Sequence, residues 1–209
     1  MPSRIEDYAL LGDCHTAALV GLDGSIDWMC VPRFDSGACF AALLGTPENG
    51  RWRIAPVEIV RAVRRRYRPG TLILETEFET DSGVVRLVDC MPFDDPLPDV
   101  VRTVQGLRGR VRMRMELVIR FDYGSVVPWV RSVEGVLHAT AGPHTLELHT
   151  PVATHGENLK TVAEFVLGED ERVGFTLRYH PSHEPPQPKL DAEKAVLETE
   201  RAWRAWTAR

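Results

Sequence analysis

The chain has no apolar run near the roughly 18 residues that a membrane span needs, so no membrane partner is expected. Its opening, MPSRIEDYALLG, carries no apolar h-region and no small-residue cleavage pattern, so no signal peptide is expected. A Gly-rich phosphate loop and a G-x-S-x-G nucleophile motif are both absent. Cysteine is sparse: Cys14, Cys30, Cys39 and Cys90 form no C-x-x-C pair. Scattered thiols behind no leader point to reduced cysteines in a cytoplasmic protein. Excess positive charge is missing too. Lys and Arg number 25 against 30 Asp and Glu, a net charge of -5, which excludes nucleic acid as a default partner. Basic runs at Arg64-Arg65-Arg66 and between Arg108 and Arg114 read as solvated strand faces. No repeat recurs at a fixed period.

What is present is enough apolar material for one domain. The 209 residues are 44% hydrophobic and 26% charged, which suits a globular fold with a sizeable core. Period-2 alternation dominates. In residues 111–121, Val111, Met113, Met115, Leu117, Ile119 and Phe121 share one face, with Arg110, Arg112, Arg114, Glu116 and Arg120 on the other. Leu72, Leu74, Thr76 and Phe78 alternate with Glu75, Glu77 and Glu79. Residues 100–107 read as a separate strand, and residues 160–167 and 172–180 as a closing hairpin. Many short strands between Gly-containing turns indicate an all-β antiparallel sandwich.

Residues 12–40 organise the rest. Asp23-Gly24 is a hairpin signal between two strands. After it Ile26, Trp28 and Cys30 are expected on one face and Asp27, Met29 and Val31 on the other. Pro32 ends the ladder, and Arg33-Phe34-Asp35-Ser36 follow as a polar loop. Ser36 is placed as the N-cap of a short helix ended by Gly45.

The same stretch, GDCHTAALVGLDGSIDWMCVPRFDSGACFAALLG, resembles the N-terminal segment of trehalase-like members of glycoside hydrolase family 15. Further similarity lies in Arg66-Tyr67-Arg68-Pro69, Leu74-Glu75-Thr76, Phe121-Asp122-Tyr123-Gly124 and Pro128-Trp129. The resemblance implies a large β-sandwich of the supersandwich type, a linker helix and an α-helical toroid bearing both catalytic carboxylates. The toroid would be this domain's partner and would bind the α-glucoside, trehalose or a maltooligosaccharide, for inverting hydrolysis. By that resemblance residues 1–180 are the sandwich, and residues 181–209 are a Pro-rich linker with the start of a linker helix. The toroid is absent from the chain, and no residue here inherits the acid or base role.

The residues themselves agree with that division. His180-Pro181-Ser182-His183-Glu184-Pro185-Pro186-Gln187-Pro188-Lys189 reads as an extended linker. Asp191 then caps a helix whose stripe is Ala192, Val196, Thr199, Trp203 and Trp206. Such a stripe must fold back on the sandwich or dock on something else, self-association included. The helix reads as a truncated element, since no C-cap signal follows Trp206.

A glycosidase needs a carboxyl acid and a second carboxylate as base or nucleophile. Asp13, Asp27, Asp35, Asp89 and Asp122 are the candidates, each with a structural reading as a backbone or arginine partner. No catalytic residue is therefore assigned. No cofactor and no metal are assigned either. His180, His183 and Glu184 are loosely spaced in a linker, and His138, His144, His149 and His155 show no ligand repeat. The functional candidates are Asp13, Thr16, Trp28, Arg33, Phe34 and Asp35, which combine an aromatic ring, a guanidinium and carboxylates suited to a sugar. They are expected at the rim of the toroid's pocket or at the interdomain contact, and Trp203 and Trp206 at a docking face. The competing expectation is a free-standing carbohydrate-binding or scaffold module.

Overall fold

The computed structural model describes residues 4–93 and 97–209. Part of the Pro- and Asp-rich loop expected at residues 92–98 lies outside the described residues. The first layer contains β1 (Ala9–Gly12), β2 (Ala17–Val20), β3 (Ser25–Cys30), β4 (Ala38–Phe40) and β5 (Arg51–Pro56). Next come β6 (Ala62–Tyr67), β7 (Leu74–Glu79), β8 (Gly83–Cys90) and the 20-residue β9 (Asp99–Val118). The chain continues with β10 (Trp129–Val133), β11 (Val136–Ala141), β12 (His144–His149), β13 (His155–Glu157), β14 (Lys160–Gly168) and β15 (Arg172–Pro181). One helix, α1 (Ala192–Thr207), ends the order.

Every strand pairing is antiparallel, and β9 belongs to both sheets. Its C-terminal half lies between β5 and β14 in the order β1-β2-β3-β5-β9-β14-β13, with β4 also on β3. Its N-terminal half lies between β8 and β15 in the order β6-β7-β8-β9-β15-β12-β11-β10. Residues 100–118 are thus one strand, where the sequence suggested two. A bulge separates the halves: Val84 pairs with Arg108 and Val85 with Gly106, leaving Leu107 extra. The long apolar face is confirmed, since Val111, Met113, Met115, Leu117, Ile119 and Phe121 are all in the core. The opposite face is wet only in part, because Arg120 is buried and donates to the Ile119 and Leu159 carbonyls.

The expected hairpin of β14 and β15 does not form. β14 pairs with residues 110–117 of β9, and β15 with residues 99–105. The turn between them carries the chain from one sheet to the other. It docks on Gly106, whose amide donates to the Glu171 carbonyl at 3.0 Å and whose carbonyl accepts from Asp170 N at 3.0 Å. A Cβ at Gly106 would lie 1.9 Å from the Gly168 oxygen, so only glycine admits the turn. Local periodicity cannot report which strand lies beside which.

The helix expected after Ser36 is also corrected. Residues 38–40 are strand β4 against β3, and only Ala42–Leu44 forms a short 3₁₀ turn before Gly45. Burial overrides the local signal: Ala38, Cys39 and Phe40 are fully enclosed. The simple alternation in β3 fails as well. Val20 pairs with Ile26 but Leu19 with Trp28, so Asp27 is a bulge residue. Ile26 and Met29 therefore both reach the main core, and Cys30 and Trp28 join a small cluster with Ala38 and Ala41.

α1 forms as expected, with Asp191 Oδ1 accepting from Lys194 N at 3.0 Å. It folds back on the outer face of the second sheet. Ala195 and Val196 pack with Ile73, Val88, Cys90 and Val101. Trp203 is 6% exposed and meets Phe93 edge-on at 4.7 Å. Of the anticipated docking face, Trp206 alone stays substantially open, at 50%. The stripe is mostly covered by its own sandwich, so it no longer favours an external partner or self-association.

Candidate functional site

The sequence-derived candidates fall into a supporting tier and an exposed tier. Asp13 is fully buried, and its Oδ1 accepts from His15 N at 2.8 Å and Thr16 N at 2.7 Å. Thr16 donates its hydroxyl to the Cys30 carbonyl at 2.8 Å. These two residues shape the turn between β1 and β2 and face no solvent. That turn holds the next loop, since Phe34 N donates to the His15 carbonyl at 3.1 Å. Above it Phe34 is 66% exposed, and Arg33 Nε donates to Asp35 at 3.0 Å with both side chains largely in water. Trp28 is half-buried and lies 6.0 Å from Tyr123, whose hydroxyl donates to the Ser36 carbonyl at 3.4 Å. Arg33, Phe34 and Asp35, beside Trp28 and Tyr123, thus make an exposed polar-aromatic ledge. Asp13 and Thr16 are its foundation rather than its contact surface.

The five carboxylates considered for catalysis all have structural partners. Asp13 holds its turn. Asp27 accepts from Tyr8 Oη at 2.7 Å and Ser25 Oγ at 2.5 Å. Asp35 pairs with Arg33, and Asp122 accepts from Ser125 Oγ at 3.1 Å. Asp89 is fully buried against Arg102 at 2.8 Å. That arginine also donates to the Trp52 carbonyl at 2.6 Å and the Gly24 carbonyl at 2.8 Å, and its guanidinium lies 5.0 Å from the Trp52 ring centre. It clasps the first hairpin and β5 onto the second sheet. Gly24 is required there: φ is +77°, and a Cβ would lie 2.4 Å from the Ile54 oxygen. The three buried thiols, Cys30, Cys39 and Cys90, are not poised for chemistry either. Burial pushes Cys90 up to about 12 and raises Cys30 and Cys39.

Two features escaped the sequence. One is an open groove of about 550 Å³ beside β10, with Trp129, Arg120, Leu137, Asn158 and Leu159 among its walls. Trp129 is 70% exposed, with the Arg131 guanidinium 5.5 Å from its ring centre. None of the first-loop candidates lines this groove. The other is a buried cluster on β11, β12 and β15. There Glu147 Oε1 lies 3.0 Å from His138 Nδ1 and 3.0 Å from His180 Nε2, and Glu147 Oε2 lies 3.5 Å from His149 Nε2. Of the histidines that looked scattered, His138 and His149 converge with His180 on Glu147, because His138 and Glu147 are cross-strand neighbours and His180 lies diagonally across, whereas His144 bonds Tyr179 and His155 lines the groove. His183 takes no part: it is exposed and only loosely near Glu184. Burial alone would raise the Glu147 carboxyl. The His149, His180 and His138 imidazoles outweigh it and hold the carboxyl below its ordinary value.

The fold and these sites define an antiparallel β-sandwich whose candidate carboxylates serve architecture. Residues 1–201 match the family described as trehalase-like, N-terminal, and the chain belongs to that family. It is 32% identical to the trehalase of Mycolicibacterium smegmatis over 97% of this chain and 34% of that protein. The trehalase of Mycobacterium tuberculosis is 29% identical over 97% of this chain and 33% of its own length. A trehalase of Thermoplasma volcanium is 30% identical over 60% of this chain and 21% of its own. The chain therefore spans about a third of the mycobacterial trehalases it matches. A solved structure described as a putative kojibiose phosphorylase from human microbiome superposes over 96% of this chain and 33% of its own, with a TM-score of 0.41 and 7% identity. That likeness is too distant to inform the site. No described helix is long and apolar enough to cross a membrane.

Proposed function

We propose that this chain is the non-catalytic sandwich domain of a cytoplasmic α-glucoside hydrolase, acting on trehalose or a maltooligosaccharide. Catalysis by inversion belongs to a helical toroid in the same parent protein. The sandwich supports that toroid, and the ledge of Arg33, Phe34 and Asp35 contributes to the rim of its pocket. The observation that carries this reading is length: nearly the whole chain aligns with only a third of each mycobacterial trehalase. Residues 1–180 form the sandwich in this reading, and residues 181–209 lead toward the toroid. The test is glucose release from trehalose and maltose by the purified chain, where none is expected. Release abolished by one Asp or Glu substitution would overturn the proposal. In the longer parent protein, Arg33→Ala should raise KM severalfold while leaving the folding midpoint in place.

One observation favours the second reading, a free-standing carbohydrate-binding module. The exposed Trp129 beside an open groove offers the aromatic platform that sugars stack on. Trehalose or maltose quenching of tryptophan fluorescence, lost in Trp129→Ala, would support it.

A further inference from the structure

The buried cluster on β11, β12 and β15 has the chemistry of a metal site. Its mutually close ligand types are two imidazoles and one carboxylate, a set that suits a divalent transition ion such as Zn²⁺. The donor atoms of His138, Glu147 and His180 all lie within 4.8 Å of one another. A tetrahedral ion about 2.1 Å from each donor needs donor separations of roughly 3.4 Å. The two contacts to Glu147 Oε1, 3.0 Å from His138 Nδ1 and 3.0 Å from His180 Nε2, fall a few tenths of an ångström short of that value.

Hydrogen bonding points the same way. His180 Nδ1 lies 2.8 Å from the Pro181 carbonyl, which can only accept, so Nδ1 carries the hydrogen. With Nε2 3.0 Å from a carboxylate oxygen, the ring either donates from both nitrogens as an imidazolium or turns the Nε2 lone pair onto a cation shared with that carboxylate. A backbone carbonyl on the far nitrogen is the usual orientation device for a metal-bound histidine. Two polar atoms in the cluster also lack hydrogen-bond partners, Glu147 Oε2 and His149 Nε2. Both residues are more than nine-tenths buried, where an unmet polar atom costs about 1–3 kcal/mol. They lie 3.5 Å apart, with His149 beside the group formed by His138, Glu147 and His180.

We infer that His138, Glu147 and His180 bind one Zn²⁺-class ion that staples three strands of the second sheet. These are three protein ligands, one from each strand, and the fourth position of a tetrahedral ion is left to water. Binding displaces any proton from the imidazole nitrogens and leaves the carboxylate ionised.

The test uses chelator-stripped protein titrated with Zn²⁺ by calorimetry and with Co²⁺ by visible absorption. One ion per chain is expected, with the intense bands of four-coordinate Co²⁺ and a higher Tm. Glu147→Gln and His180→Gln should each weaken Zn²⁺ binding by about 100-fold, while the exposed His183→Ala leaves it unchanged. Should either core variant fail to fold, His138→Ala removes the least enclosed of the three ligands and should weaken binding at least about tenfold. Absence of stoichiometric binding by the native chain overturns the inference. So does binding that survives these substitutions, or that is lost with His183.

Discussion

Two polar regions of this sandwich were built by opposite means. The first-loop ledge is assembled mostly from near neighbours in sequence, Asp13 with Thr16 and Arg33 with Asp35, with Phe34 tied to His15 from the preceding turn. It lies in water, where its ion pair contributes little. The second-sheet cluster brings His180 to Glu147 from 33 positions away, joins them to His138 on a third strand, and encloses them. There, each polar atom must find a partner or impose a cost. Sequence neighbours thus gave an exposed surface suited to recognition, and strand register gave a buried site suited to holding the sheet together. The Arg102–Asp89 clasp belongs to the second kind, since it joins the two sheets through carbonyls on β5 and in the first hairpin.

Breaking the buried side should have the largest consequence. Arg102→Ala strands the Asp89 charge and two carbonyls, and should cost about 3–5 kcal/mol in urea unfolding. A cost below about 1 kcal/mol would mean the clasp is dispensable. Trp203→Ala opens the seam under α1 and should cost about 3 kcal/mol, with exposure of the Cys90 thiol to alkylating reagents as an independent readout. Acid should next separate the regions. Glu75, Glu116 and Glu147 are all held below the ordinary 4.5, by neighbouring arginines in the first two and imidazoles in the third, against the opposing effect of burial. A lowered folded-state pKa contributes stability above the unfolded value and loses it as pH falls through the folded one. Stability should therefore hold near neutrality and decline below about pH 4.5, less steeply in Glu147→Gln, as chemical denaturation across pH will show. The smallest effect belongs to the exposed side. Arg33→Ala should shift stability by no more than about 0.5 kcal/mol, because both partners are largely solvated. A larger loss would make the ledge a structural brace.

Legibility in the sequence followed the same division. Period-2 faces in residues 74–78 and 111–121, the Asp-Gly turn and the Asp191 cap need only local sterics and formed, although Glu75, on the face expected to be polar, is buried against Arg66 and Arg68. The β3 alternation failed at one bulge, and the helix after Ser36 yielded to a buried strand, because pairing partners outweighed local propensity. Asp89 read correctly as an inward aspartate awaiting an arginine, although which arginine was not legible.

By itself, then, the sequence determined that this is an all-β, acidic chain with a capped helix at its end and a trehalase-like opening segment. Alternation, turn chemistry and capping act over a few residues, so they are written in the order of the chain. Only the tertiary structure decided that β9 serves both sheets, that β14 and β15 part company across it, that α1 covers its stripe on its own sandwich, and that three histidines meet one glutamate. Each of those depends on which strands lie side by side. That choice is set by burial of the whole core at once, which no local pattern encodes.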